Sequence, residues 1–216
     1  MKIVKLKNFK ENDFFEEFSN WLQKDLNQVN KIILEILETD SSLITELSNY
    51  IIGAGGKRIR PLLTLASARL CQYSGNRHLN LASAIEFIHT ATLLHDDVVD
   101  GSKKRRGKKT ANFIWGNKPS ILVGDFLLSK AFKILINDGS LKCIDIVSNV
   151  SEKISFGEVK QLMSVGNLNM SETDYLEIIG YKTAELFSAA CQLSAEISEI
   201  EETKKKSLKD FGYFLG

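Results

Sequence analysis

The sequence predicts an all-α fold, a bundle of antiparallel helices, and three observations carry that prediction. Apolar residues recur at helical spacing in segment after segment, no segment alternates apolar and polar residues with period two, and only Pro61 and Pro119 interrupt the chain. At 216 residues the chain is long enough for one domain with a substantial core, so residues 1–216 are expected to form a single helical domain.

Each element follows in order. Phe14, Phe18, Trp21, Leu22, Leu26, Val29, Ile33, Ile36 and Leu37 mark one long amphipathic first helix. A second helix covers about 41–52 and is closed by Gly53-Ala54-Gly55-Gly56, a glycine-rich stop. Pro61 suits the first turn of a third helix that runs to about Tyr73. The fourth runs from Leu79 to Asp100, with Ala82, Ile85, Ile88 and Leu93 among its apolar positions. A loop with a basic cluster leads to Pro119, and helices near 119–137, 141–165, 171–198 and 203–216 complete the chain. Leu208, Phe211 and Leu215 give the last of these an apolar stripe, expected either to dock back on the bundle or to await residues beyond Gly216.

Composition excludes several classes. Lys+Arg 28 against Asp+Glu 27 leaves a net charge of +1, so no global field recruits nucleic acid. Cys71, Cys143 and Cys191 are odd in number and far apart; they form neither a zinc pattern nor a disulfide framework, and a reducing cytoplasm is the expected compartment. No apolar run reaches the length of a membrane span, and Met1 to Lys7 has no secretory h-region. A peripheral contact with a membrane surface stays open.

The chemistry concentrates in Leu93-Leu94-His95-Asp96-Asp97-Val98-Val99-Asp100. Asp96 and Asp100 lie one helical turn apart on one face, and two carboxylates so placed call for a shared cation such as Mg²⁺. Asp125 follows Gly124 near a helix start and reads as a first-turn or capping carboxylate. Gly55-Gly56-Lys57-Arg58-Ile59-Arg60-Pro61 sets three cations on a glycine-flanked turn, an anion seat or else a solvated turn. Lys103-Lys104-Arg105-Arg106-Gly107-Lys108-Lys109 begins three residues after Asp100; taken alone it reads equally as a solvated loop, and its position favours phosphate.

Together these strings resemble the trans-isoprenyl diphosphate synthases. The matching segments are GGKRIRP at 55–61, EFIHTATLLHDDVVD at 86–100, RRGKKTAN at 105–112, LVGDFLLSKAF at 122–132, GEVKQL at 157–162 and YKTAELF at 181–187, in the family's order and covering nearly the whole chain. Within the family the resemblance is to the medium- and long-chain members that make side chains for respiratory quinones. It implies a helical bundle of the isoprenoid synthase type and, as is usual in the family, a homodimer.

It also implies roles. Asp96 and Asp100 would bind the Mg²⁺ that clamps an allylic diphosphate, with Asp97 in support and Arg105 on the same diphosphate. Lys57, Arg58, Arg60, His89 and Arg106 would form the seat for isopentenyl diphosphate. Lys182 and Thr183 would approach the departing diphosphate and the developing cation, and Gln161 would line the pocket. On the residues alone, His89 reads equally as a satisfied core histidine, and Lys182 reads rather as a surface lysine. Such groups would stabilise the charge that grows as the allylic C–O bond breaks, inside a dry tunnel that protects the cation from water.

Product length would follow from what blocks that tunnel. Ala91, five residues before Asp96, stands where short-chain members of the family carry a bulky aromatic, so a long product is expected, with Phe132 as a candidate floor. The family pattern continues into a second aspartate-rich motif, and the sequence stops at Gly216 before any other D-D-x-x-D run. The resemblance therefore covers the N-terminal two thirds of the family domain. Loss of even about 4 kcal/mol of transition-state stabilisation would slow turnover roughly a thousandfold. A non-catalytic partner subunit, or a fragment that needs a separate C-terminal polypeptide, is the alternative; a class I terpene cyclase is disfavoured by the seat at Lys57 and Arg60.

Overall fold

A computed structural model describes residues 11–53 and 56–216, with side chains from residue 14 onward. The Met1–Lys7 stretch, and Ala54 and Gly55 of the glycine-rich stop, lie outside the described residues. Helices α1 (Glu11–Trp21), α2 (Gln23–Leu37), α3 (Ser42–Gly53), α4 (Ile59–Leu70) and α5 (Arg77–Val99) come first. A hairpin of β1 (Lys104–Arg105) and β2 (Lys108–Lys109) precedes α6 (Ala111–Trp115), α7 (Asn117–Asp138) and α8 (Leu141–Ser164). Then α9 (Glu172–Ile179), a π-helical turn over Gly180–Ala184, α10 (Glu185–Ile197) and α11 (Glu202–Leu215) close the bundle.

The expected all-α architecture holds, with local departures. The single long first helix is broken at Leu22, whose backbone (φ −102°, ψ 2°) leaves the helical region and whose N–H bonds to Ser19 O three residues back. That turn lets Leu22 bury completely while the chain changes direction. The basic loop is a two-stranded hairpin, two residues per strand and too short for any alternation to show. Its tip is Arg106 (φ 50°) followed by Gly107 (φ 79°), the left-handed pair that matches the twist of a tight hairpin. The helix expected over 171–198 is continuous but swells into the π turn.

Helix α5 is the axis of the core. Leu81, Ala82, Ala84, Ile85, Phe87, Ile88, Ala91 and Leu94 are all buried, so the helix is apolar around most of its circumference. It packs against α2, α4, α7 and α10. The antiparallel pair α5 and α7 is clasped at both ends. At one end Arg77 donates to both oxygens of Asp138 at 2.8 and 2.7 Å; at the other His95 Nε2 lies 3.3 Å from Asp125 Oδ1. Asp125 is therefore not a capping carboxylate: α7 begins at Asn117, more than two turns earlier, which places Asp125 mid-helix beside His95.

Helix α11 docks on α10, where Ser188 Oγ donates to Lys209 O at 2.9 Å. Leu208 packs on the core, whereas Phe211, Phe214 and Leu215 are more than half exposed. Among the described residues no helix is long and apolar enough to cross a membrane.

Candidate active site

Helix α5 presents His89 and Asp96 seven residues apart, close to two full turns and roughly 10 Å along the axis, on one face. Around His89 gathers a cationic cavity of about 550 Å³, lined by Lys57, Arg58, Arg60, Glu86, His89, Arg106 and Phe187. Around Asp96 gathers an acidic turn.

In the cavity, Arg60 stacks on Phe187 with its guanidinium carbon 4.5 Å from the ring centre. One of its terminal nitrogens lies 3.1 Å from His89 Nε2. Arginine can only donate, so Nε2 accepts, and His89 is the neutral tautomer protonated at Nδ1. Burial, and then the charges of Arg60 and Arg106, hold its pKa down to about 3. Arg60 is itself held down to about 10, chiefly by burial, with Glu86 pulling the other way. Its Nε is buried with no hydrogen-bond partner, and such an orphaned charged donor calls for an anion. Lys57 is exposed at the rim, its Nζ 5.2 Å from the Phe15 ring centre. Arg106 swings in from the hairpin tip and lays its guanidinium against Gly56, filling the space a side chain there would occupy.

Arg58 does not share that orientation. Its guanidinium pairs with the Glu86 carboxylate and donates to Ile52 O at 3.0 Å. Arg58 still lines the cavity, as expected of the three cations of the turn, but its charge is paired with a buried acid.

At the acidic end, Asp96 and Asp100 have no hydrogen-bond or ion-pair partner among the described residues. Asp96 is half-buried, and burial followed by the Glu158 charge raises its pKa to about 6. Asp100 is exposed at the helix end, its N–H still bonded to Asp96 O at 2.8 Å. Asp97, about 100° further round the helix, is buried and serves differently. Arg105 grips it through Nε at 3.1 Å and Nη2 at 2.9 Å, and Asn112 donates to its backbone oxygen at 2.9 Å. Asp97 thus ties the hairpin to α5, and Arg105 is engaged with it.

Opposite Asp96 stands the π turn. Lys182 Nζ lies 2.6 Å from Glu158 Oε1 and donates to Gln161 Oε1 at 2.7 Å; Thr183 follows, half-buried. A π turn widens the helix by one residue and often marks a functional position. Gly157 permits the approach of α8, since a side chain there would run into Tyr181 Cβ at 2.7 Å. The structure thus brings Lys182 and Gln161 together. It leaves Ala91 buried in the core and Phe132 partly buried on α7 against the same cluster.

Sequence reasoning missed Glu86 and Glu158. Glu86 carried a signal, an acid flanked by Ile85, Phe87 and Ile88 on a helix otherwise apolar there. Glu158 carried none beyond its place after Gly157.

The donor set suits a hard divalent cation. Asp96 and Asp100 offer carboxylate oxygens one turn apart, and burial and the neighbouring Glu158 charge raise the pKa of Asp96 despite Lys182 and Arg105, a load that a bound cation would relieve. Among the described residues no group of three or more His, Cys, Asp and Glu is arranged to hold a metal. Mg²⁺ is commonly held by one or two carboxylates, with water and substrate phosphate completing its shell, so the pair fits it.

Comparisons with known proteins agree with this geometry. The Polyprenyl synthetase family pattern matches residues 41–216. Octaprenyl diphosphate synthase of Escherichia coli (strain K12) is 46% identical over 201 residues, 93% of this chain and 62% of that protein. The crystal structure of a decaprenyl diphosphate synthase from Rhodobacter capsulatus superposes with a TM-score of 0.91 at 45% identity, covering 94% of this chain and 62% of that one. A polyprenyl synthase from Caulobacter crescentus CB15, complexed with calcium and isoprenyl diphosphate, gives 0.91 at 46% identity with the same coverage. The chain thus spans about 62% of the length of these relatives.

Proposed function

This chain belongs to the polyprenyl synthetase family, and from that premise we propose that it condenses isopentenyl diphosphate with an allylic prenyl diphosphate to build a long all-trans polyprenyl diphosphate. One observation carries the reading: a cationic seat and an acidic turn share one face of α5, roughly 10 Å apart, a spacing that sets two diphosphate substrates end to end.

Each residue then has a task. Arg60, Lys57 and Arg106 hold the diphosphate of isopentenyl diphosphate, and the unpartnered Nε of Arg60 donates to it. Neutral His89 orients Arg60 by accepting from it. Asp96 and Asp100 hold Mg²⁺, which when bound supplies positive charge to the departing allylic diphosphate. Lys182 leans from the π turn toward the same charge, with Thr183 beside it, while Glu158 and Gln161 fix its ammonium. Arg105 holds Asp97 through Nε and Nη2, and its Nη1 offers a further donor on that side. Apolar residues of α5 and α7 keep water from the allylic cation, and the small side chain of Ala91, packed in the same cluster as Phe132, is where product length would be set. The Caulobacter crescentus relative, complexed with a hard divalent ion and isoprenyl diphosphate, supports this division of roles. The octaprenyl and decaprenyl products named for the other relatives favour a product of that length class, and we read its use as the side chain of a quinone. We further read residues 1–216 as one domain acting in the cytoplasm as a homodimer.

The count of carboxylates favours a second reading. Asp96 and Asp100 offer two carboxylates from one side of the cleft, and Glu158 is taken by Lys182. On that reading the chain turns over only with a separate polypeptide that brings further aspartates. Incorporation of labelled isopentenyl diphosphate into farnesyl diphosphate, with and without such a polypeptide, tests both. Activity of the chain alone supports the first reading and activity only on addition supports the second. No activity in either arm would overturn both.

A further inference from the structure

The cationic cavity holds one acid, and its placement is specific. Glu86 is 6% exposed, on the α5 face that also bears His89 one turn later, and its carboxylate is paired to Arg58. Arg58 sits in the left-handed region at φ 49°, between Lys57 and Arg60. That backbone is rare for a side chain of this kind and persists where surrounding contacts fix it. Here two contacts do so, Glu86 on one nitrogen of the guanidinium and Ile52 O on another. The left-handed turn sends the Arg58 side chain to Glu86 and Ile52 while Lys57 and Arg60, on either side, line the same cavity.

We infer that Glu86 and Arg58 are positioning residues: their ion pair latches the Lys57–Arg60 turn onto α5 and fixes the seat for isopentenyl diphosphate before substrate arrives. The inference rests on the reading under Proposed function. It assigns Glu86, a negative group inside an anion site, the role of strengthening that site. Through charge alone Glu86 would oppose a diphosphate; through the latch it favours one, because donors already in place lose less freedom on binding. The two effects have opposite signs, so affinity separates them.

The experiment is calorimetric titration of the full chain with isopentenyl diphosphate, beside Glu86→Gln, Arg58→Lys, Arg58→Gln and the double variant Arg58→Gln/Glu86→Gln. Glu86→Gln keeps the shape and removes the negative charge. It is expected to weaken binding by roughly tenfold to a hundredfold, although the seat becomes more positive. Arg58→Lys keeps the charge, loses the fork, and is expected to weaken binding severalfold in a chain that stays folded by circular dichroism. The double variant is expected to bind no more weakly than Arg58→Gln alone, as two halves of one latch are not additive. Affinity for an allylic diphosphate with Mg²⁺ is expected to stay within about twofold in Glu86→Gln, which a general loss of fold would not allow. Unchanged or tighter binding of isopentenyl diphosphate in Glu86→Gln overturns the latch and leaves the proposed function standing. Failure of the unmutated chain to bind it overturns the proposed function and the latch with it.

Discussion

The cationic end and the acidic end of the α5 face differ in how far the chain answers its own charges. Around His89, most groups are engaged from within: Arg58 by Glu86, Arg60 by Phe187 and His89, Arg106 by its packing on Gly56. Among the described residues, what remains is the buried Arg60 Nε without a partner, and the exposed Lys57 ammonium at the rim, the two donors offered to an anion. Around Asp96 the balance is reversed. Asp97 is held by Arg105, but the carboxylates of Asp96 and Asp100 have no hydrogen-bond or ion-pair partner among the described residues, and burial and the Glu158 charge outweigh Lys182 and Arg105 at Asp96. One site is organised before its ligand comes; the other is left under electrostatic load that a cation relieves. Under the proposed function, the difference implies that the two substrates would be bound in different ways: isopentenyl diphosphate by the chain directly, the allylic diphosphate through an ion.

Substitutions at each end can break that contrast. Asp96→Asn carries the largest expected effect, a fall of roughly a thousandfold in incorporation of labelled isopentenyl diphosphate, about 4 kcal/mol. Mg²⁺ binding should go with it, whereas calorimetric binding of isopentenyl diphosphate alone should not change. A parallel loss of that binding would mean that the two ends are one coupled site. Arg60→Ala tests the other end. It removes charge-assisted bonds worth about 1.5–3 kcal/mol, so isopentenyl diphosphate should bind about tenfold to a hundredfold more weakly while Mg²⁺ affinity holds.

Between the two ends lies Ala91, buried five residues before Asp96. Ala91→Phe should shorten the product, read by chromatography of dephosphorylated chains, and overpacking should cost about 1–3 kcal/mol of stability. An unchanged chain length would show that Ala91 only allows close helix packing and has no part in measuring the product.

The contrast was half legible in the sequence. His89 and Asp96 share a face by simple helical spacing, and the glycine-flanked Lys57 and Arg60 announce an anion seat, so both ends could be named from local pattern. The rest depends on contacts between residues distant in the chain. Arg58 and Glu86 are 28 residues apart, and nothing local says that a buried acid takes one cation of three. The same holds for Asp97, whose side chain differs from that of Asp96 only by its position round the helix, and for Asp125, placed beside His95 by the packing of α5 on α7. The break at Leu22 escaped because it leaves the apolar spacing intact, and the π turn at Lys182 because a slip of one residue is too small to stand out from that spacing. The hairpin escaped because four residues are too few to show a period.

The smallest expected effect sharpens the comparison most, because the two ends respond to pH with opposite sign. Asp96 has a pKa of about 6 in the fold against an ordinary value of 3.8. The folded chain therefore holds a proton that the unfolded chain has lost between those values, and this group's contribution to stability fades as pH rises through 6. His89, held down to about 3 from 6.5, acts the other way: the unfolded chain takes up its proton first, so stability rises with pH across 3 to 6.5. In the unmutated chain the two slopes oppose each other between about pH 4 and 6. Asp96→Asn leaves the His89 slope alone, so its melting temperature should climb more steeply with pH over that window. With Asp96 in contact with solvent, the difference is discounted to about 1 kcal/mol, a few degrees of melting temperature. Mg²⁺ should act on the unmutated chain only, raising its melting temperature more at pH 7.5 than at pH 5, since cation and proton compete for the same carboxylate. An equal Mg²⁺ response at both pH values, or one that survives in Asp96→Asn, would place the cation elsewhere and remove the acidic end from the comparison.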